Sequence, residues 1–481
     1  MNKIKVSKYF LHPTLFVIFF VAGATILITA GFKFLFVVVV LVAIAVFLAV
    51  LKLFRYAALT IVLSLGAIYA LFFSYFTTSN PPSNQCFKGR VSSQVNQYSQ
   101  GKYRFSLTDR TSRIVIESNQ ADEIGYGDNL EVCITLDNIK KLEKGREKYY
   151  LSNYLSQNVI VNPEIKYLKR GKGIRRALFD FSDYLGKKFY YLWPGDKGVL
   201  ARGLILGGSQ DFSDEVGGAL KNSGTSHLTA VSGYNVAIIT VILFNFLRLR
   251  SKKLAIGLTS VILLSFVFLT GLTPSVLRAA LMGGAYLLAK ILGRPKMTLH
   301  FLMLAGLILV LSNPFMLYNV GFLLSFAATY GLILAGNLTT GILKQKQGAI
   351  KVLLTTLGET VIAQIFVMPI LLYYFGKIST VAPISNILIL PIIPLAMVLE
   401  FAAIIVSFIN FHLSILFAKL IEPVLSYILF IIKLFGTNTW AVIQVESIGI
   451  LAVIGFYLML HAGLFFAGRY LKRDFAKMKT R

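Results

Sequence analysis

What most constrains this chain is a succession of long apolar stretches separated by short polar loops. Between residues 229 and 467 about nine can be marked, at 229–247, 254–270, 276–292, 298–312, 319–336, 352–375, 384–409, 411–435 and 448–467. Residues 1–76 add three more, the first flanked by Lys3, Lys5 and Lys8 in the manner of a signal peptide. Because further apolar stretches follow, including 34–51, the segment reads as an uncleaved three-helix anchor. Charged residues make up 14% of the chain and hydrophobic ones 56%, whereas soluble domains carry about a quarter charged residues. That excludes a soluble enzyme. The expected fold class is a polytopic α-helical membrane bundle of about 12 transmembrane segments. Pro369, Pro383, Pro391 and Pro394 crowd two of the apolar stretches. Broken or re-entrant helices are expected there, since irregular backbone at membrane depth must line a cavity or be buried in protein.

One polar block, 77–163, interrupts the apolar pattern. Its short segments alternate with period two: Tyr103, Phe105, Leu107; Ile114, Ile116; Leu130, Val132, Ile134, Leu136. With 87–95 and 158–161 they make about five strands, and a small closed or half-closed all-β barrel of the OB kind is the natural candidate. The block 164–225 follows as a linker with interfacial helices. It is basic first, with Lys166, Lys169, Arg170, Lys172, Arg175 and Arg176, and then aromatic, from Phe179 to Trp193. Such a stretch serves either as an interfacial belt with snorkelling cations or as a ramp that tracks phosphates and stacks bases. The block 226–468 is membrane again, and 469–481 is a basic tail.

Net charge is +27, from 48 Lys and Arg against 21 Asp and Glu. With the N-terminus inside, the loops placed in the cytoplasm carry Arg248, Arg250, Lys252, Lys253, Arg294, Lys296, Lys344, Lys346 and Lys351, and the tail lies on the same side. Loops 270–275, 312–319 and 436–446, placed outside, hold no Lys or Arg, and the loop after Phe375 holds only Lys377. The polar β block then lies outside the cytoplasm, where a disulfide is expected. Cys86 and Cys133 share one strand face if their strands are neighbours, and are two unrelated thiols if they are not.

The run from Ser226 to Gly233 sets His227 five residues before Ser232. It lacks the G-x-S-x-G elbow and a nearby acid, so hydrolytic chemistry is weakly supported. No metal-ligand framework can be built from 5 His and 2 Cys scattered along the chain, and no cofactor is expected. What stands out instead are four ordered blocks: SHLTAVSGYNV (226–236), GLTPSVLRAALMG (271–283), NPFMLYNVGFLLSFAATYG (313–331) and QIFVMPILLYYFGKISTVAPISNILILPIIP (364–394). Together they resemble the successive signatures of the ComEC-type competence proteins, inner-membrane channels of bacterial DNA uptake. The 86–163 segment likewise resembles the family's extracytoplasmic OB-like domain.

The resemblance implies a channel that passes single-stranded DNA inward, in a bacterial plasma membrane with both termini cytoplasmic. It further implies the lipid bilayer, a DNA-uptake receptor and a cytoplasmic DNA translocase as partners. Many family members append a metallo-β-lactamase-like nuclease, which is not found in this sequence, so either a separate nuclease supplies that chemistry or this is a reduced or divergent member, and the chain itself is not expected to be an enzyme. Candidates for the DNA path are His227, Ser232, Asn235, Arg278, Gln364 and Asn386. Outer DNA contacts fall to Lys169, Arg170, Lys172, Arg175 and Arg176. Glu359 and Glu400 would repel phosphate and are expected to pair with a buried cation or another helix. The same basic ramp would also suit a transporter or flippase for another anionic solute.

Overall fold

The structure, a computed structural model, describes residues 65–66, 68–70 and 86–479, apart from 100, 110–112, 120–123, 135–138, 141–149, 154–158, 209–211, 230–232, 248–250, 292–297, 343–347 and 447. The expected 1–76 anchor lies almost wholly outside the described residues, as does Ser232. Two units are present. One comprises Met1–Phe181 with Phe244–Phe322, the other Ser182–Leu243 with Leu323–Arg481.

The first unit contains a small sheet of β1 (Cys86–Val91), β2 (Asn96–Ser99), β3 (Lys102–Thr108), β4 (Arg113–Ser118), β5 (Asn129–Cys133), β6 (Val159–Val161) and β7 (Glu164–Lys169). Their order is β6-β4-β3-β1-β5-β7, with β2 on β3. The β4–β6 pair is parallel and the other pairs are antiparallel. The period-two residues explain the core. Phe105, Leu107, Ile114, Ile116, Leu130 and Val132 project to one side and pack with Val91, Ile134 and Ile160. β4 is buried on both faces, because Val115 packs on Tyr150 and Val159 on the other side. β7 carries the sheet past residue 163, into the stretch the sequence assigns to the linker. Only Ile165 of β7 packs on the core, so the strand shows no full alternation.

Glu117 shares the second face of β4 and is the hub of a buried ionic cluster. Its carboxylate accepts from Arg104 Nη2 at 2.7 Å, Tyr150 Oη at 2.7 Å and Lys140 Nζ at 2.8 Å. Burial alone would push this carboxyl up. The bonds from Lys140 and Tyr150 and the Arg104 charge outweigh that and hold it below its ordinary value. A depressed acid stabilises the fold fully above its unfolded value of about 4.3. It loses that contribution as pH falls through the lower folded value. Thermal melts of the intact protein should therefore lose stability as pH drops below about 4, and Glu117→Gln should flatten this acid limb while lowering the melting temperature at neutral pH.

Antiparallel pairing of β1 and β5 sets Cys86 opposite Cys133, and the two are disulfide-bonded across a sequence separation of 47. Closing a loop of that length restricts the unfolded chain by about 3–4 kcal/mol. A Cys86→Ser, Cys133→Ser double variant should lose about that much sheet-domain stability in denaturant titrations, whereas unchanged unfolding would show that the bridge adds nothing.

Helices make up most of the remainder. The linker folds as α1 (Ile174–Leu192), α2 (Asp196–Ile205) and α3 (Asp214–Asn222). Then come α4 (Gly233–Leu247), α5 (Lys252–Leu269), α6 (Pro274–Ile291), α7 (Thr298–Ser312), α8 (Val320–Ile342), α9 (Gly348–Phe375), α10 (Ala382–Ile389), α11 (Ile393–Ile409), α12 (Phe411–Gly436) and α13 (Ile450–Lys479). Among the described residues, Leu354–Phe375 and Phe411–Gly436 are long and apolar enough to cross a membrane. The bent pair α10–α11 makes a third candidate span, and shorter apolar helices lie at Leu254–Leu269, Thr298–Ser312, Val320–Ala335 and Ile450–Leu464.

The apolar stretch 384–409 is thus two helices, bent by 47°. Pro391 has no N–H to offer residue 387, and Pro394 has none for Leu390. The break turns through Ile392 N–H, which donates to Ile389 O at 2.9 Å. Leu388 O, stripped of that donor, accepts from the Tyr427 hydroxyl at 3.4 Å. Pro369, by contrast, sits inside α9 without ending it.

Candidate functional site

In the second unit, two of the signature blocks meet at one knot of turns. A short 3₁₀ turn, Ser226–Leu228, leads towards α4, and His227 Nδ1–H donates to Gly224 O at 3.2 Å. Gly224 has φ +70°, and a Cβ there would lie 2.4 Å from Ala382 Cβ and 3.2 Å from Ser379 Cβ. Only glycine fits both the conformation and the gap. Ser379 Oγ donates to Asn222 O at 2.6 Å, and its own carbonyl accepts from Gln364 Nε2 at 3.1 Å. His227 and Gln364 are therefore joined through Gly224, Asn222 and Ser379. The start of α10, which carries Asn386, abuts the same glycine.

Asn386 is buried, and its Oδ1 has no hydrogen-bond donor among the described residues. Asn235 is occupied otherwise: buried, it donates from Nδ2 to Leu204 O at 2.8 Å, joining α4 to the end of α2. Strand β8 (Lys377–Ser379) pairs with β9 (Val442–Gln444), so the segment after Phe375 and the one after Gly436 are tied together.

In the first unit, the other two blocks form turns that hold the sheet domain. The α5–α6 turn runs through Gly271 at φ +80° and Leu272 at φ +59°, a left-handed pair that a leucine adopts only under strain. A Cβ on Gly271 would lie 2.6 Å from Gln94 Oε1. In the α7–α8 turn, Asn313 caps Phe315 N through Oδ1 at 2.9 Å, while its Nδ2 donates to Ser152 O at 3.0 Å and Leu151 O at 3.3 Å. Asn319 caps Phe322 N and reaches Asn153 Oδ1 at 3.0 Å. Both asparagines thus cap a helical turn with one atom and grip the sheet domain with the other. They are quoted in the signature, but the grip on residues more than 160 positions away cannot be read from it. Arg278, in the second turn of α6, is 7% exposed, and its Nη1 donates to Met282 Sδ at 3.7 Å. It is buried and does not snorkel outward. Arg278 belongs to the first unit, whereas His227, Asn235, Gln364 and Asn386 belong to the second.

The basic-aromatic linker divides by role. Lys166, Lys169, Arg170, Lys172 and Arg175 are exposed along β7 and the start of α1, with Tyr167 46% exposed among them. Arg175 Nη1 donates to Tyr126 Oη at 3.2 Å, and its guanidinium lies 5.5 Å from the Phe268 ring centroid. Arg170 makes a loose contact with Asp180 at 3.4 Å.

Arg176 does not belong with this group. It is 8% exposed and pairs with Asp128 Oδ1 and Asp180 Oδ1, each at 2.7 Å. Burial opposes its charge, but the two carboxylates outweigh that and hold the guanidinium above its ordinary value. Asp128, fully buried, also accepts from Gly125 N and Gly171 N at 2.7 Å. Arg176 is a staple between α1 and the sheet, closed to a phosphate. In the aromatic half, Phe179, Phe189 and Trp193 are buried, whereas Phe181, Tyr184 and Tyr191 are exposed. Trp193 stacks on Phe189 and donates from Nε1 to Ala418 O at 3.0 Å. Lys188 donates to Ser407 O at 3.0 Å and lies 4.1 Å from the Phe408 ring centroid.

Residues 204–470, more than half of the chain, match the competence protein family. Over 203 residues the chain is 34% identical to ComE operon protein 3 of Bacillus subtilis (strain 168). That alignment takes in 42% of this chain and 25% of the relative, so the chain spans about a quarter of the relative it matches. No solved structure matches. The matched region contains all four signature blocks, both sets of turns and the helices they join, and the chain belongs to the ComEC-type competence protein family.

Proposed function

We propose that this chain acts in DNA uptake for transformation, as a plasma-membrane channel that passes single-stranded DNA into the cytoplasm. The observation that carries the reading is the competence match over 204–470, preceded in the chain by an exposed strip of Lys166, Lys169, Arg170, Lys172 and Arg175. A strand on its way to a membrane needs cations spaced for phosphates and flat groups for bases. The strip supplies the cations, and exposed Tyr167 supplies a ring. The parallel β4–β6 pair added to an antiparallel meander supports an OB-like reading of the sheet domain. In this reading the chain is a conduit and carries out no chemistry on DNA.

The turns support the outward placement of the sheet domain. Loops 270–275 and 312–319, kept free of Lys and Arg, are the ones that contact it. The segment after Phe375 and the loop 436–446, given the same side by the charge rule, pair through β8 and β9. With both termini in the cytoplasm, about twelve crossings satisfy this arrangement.

Salt dependence tests the capture step. Single-strand binding by the intact protein in nanodiscs should weaken linearly in logarithmic salt, at about 0.7 per phosphate contact. A Lys169→Ala, Lys172→Ala, Arg175→Ala triple variant should flatten that slope by up to about 2. A slope unchanged by the triple variant would remove the strip from DNA capture, and an intact protein that binds a small anion but no single strand would favour the anionic-solute transporter.

A further inference from the structure

We propose that Glu400 is a proton-carrying site of the membrane region, neutral in the conformation described and ionised only when movement at the α10–α11 break opens it to water. The inference rests on the transport reading above for its purpose, but not for its chemistry. α11 buries one stripe of Ile393, Ala396, Met397, Glu400, Ala403, Ile404 and Ser407. Glu400 sits mid-stripe at 0% exposure, and neither carboxyl oxygen has a hydrogen-bond donor among the described residues. Other acids are treated differently by the same fold. Glu117 and Asp128 each receive three or more bonds, Glu422 pairs with Lys197, and Glu215 pairs with Lys433. Among the described residues, the buried partner that the sequence leads one to expect for Glu400 is not there.

The charged groups of the neighbouring elements are committed elsewhere or face out. α12 packs on α11 with Ser414, Ala418, Ile421 and Leu425 buried. On α12, His412 and Lys419 are exposed, Glu422 and Lys433 are in ion pairs, and the Tyr427 hydroxyl is on Leu388 O. α2, which also packs on α11, turns Val199, Leu200 and Leu204 inward. Its Asp196 accepts from Ser213, its Lys197 pairs with Glu422, and its Arg202 lies against Gly186 and Gly208. Lys188 of α1 meets α11 at Ser407, two helical turns further on.

A metal ion held in membrane interior needs several oxygens around it, and the flanking buried residues of the stripe are mostly apolar. The ligand that an isolated carboxyl can take in such surroundings is a proton, since the charged form has nothing to offset its lost hydration. The joint that could expose it is close by: α11 begins at the 47° break around Pro391 and Pro394. In the ionising step the carboxyl O–H bond breaks, its electron pair stays on oxygen, and the proton passes to water. The reverse step restores the acid.

Infrared spectroscopy of the intact protein in nanodiscs at neutral pH tests this without DNA. A carbonyl stretch of a protonated carboxyl is expected in wild type, absent in Glu400→Gln and displaced in Glu400→Asp. A wild-type spectrum without such a band, or the same band in all three proteins, overturns the proposal. The purpose is tested separately in cells, by DNA internalisation under an imposed proton gradient. Glu400→Gln, expressed at wild-type level, should lose the gradient dependence while keeping surface binding. Internalisation by that variant with unchanged gradient dependence would overturn the coupling role. Persistence of the infrared band in a protein that moves no DNA would instead overturn the DNA reading and leave the protonation site standing.

Discussion

Asp128→Ala should detach α1 from the sheet domain and destabilise that domain by about 3–5 kcal/mol, the usual consequence of removing one partner of a buried ion pair. Asp128 is fully buried and accepts from Arg176, Gly125 and Gly171, so its loss strands two backbone N–H groups and leaves the buried guanidinium with Asp180 as its remaining carboxylate. Asp128→Asn keeps the Oδ1 acceptor used by Arg176 and Gly171 but sets an NH2 against Gly125 N–H and removes the charge, and should fall between wild type and Asp128→Ala. Proteolysis of the intact protein under graded urea measures the order. Equal resistance of wild type and Asp128→Ala would mean that α1 is held by its apolar packing alone. Arg176→Ala should resemble Asp128→Ala in stability, whereas Arg175→Ala, at the adjacent but exposed position, should melt as wild type does.

The second large effect belongs to Arg278. Arg278→Ala should abolish internalisation and leave surface binding of DNA intact. Arg278 lies past the turn at 271–275, while the exposed basic strip is on β7 and the start of α1. Its guanidinium is buried at the helix start, so the alanine also removes packing. Arg278→Lys separates the two effects. If charge is what the path needs, lysine restores internalisation; if the planar fork is needed, it does not. Wild-type internalisation by a stably expressed Arg278→Ala protein would take Arg278 out of the path.

The apolar helices were legible because their signal is long and continuous: each apolar stretch from 229 onward corresponds to a helix or, at 384–409, to a pair broken where the prolines stand. The core strands were legible from Phe105, Leu107, Ile114 and Ile116, whose alternation is the physical requirement of a one-sided sheet. β7 was not, because an edge strand with one core-facing residue reads as a basic linker. Nor can sequence tell Arg175 from Arg176. The distinction is made by Asp128, 48 positions earlier, through a contact that only the folded chain creates. The same holds for Glu400, whose oddity is the lack of a partner, and for Gly224, whose necessity depends on Ala382 across the knot.

The central claim, that this chain admits single-stranded DNA, is tested most directly by following labelled DNA in a strain deleted for the corresponding gene and supplied with the intact protein. DNA bound at the surface and DNA protected from added nuclease are counted separately. The account predicts that wild type restores the protected fraction, that the Lys169, Lys172 and Arg175 triple variant lowers both fractions, and that Arg278→Ala lowers only the protected one. A correctly inserted wild-type protein that leaves the protected fraction at the deletion-strain level would contradict it.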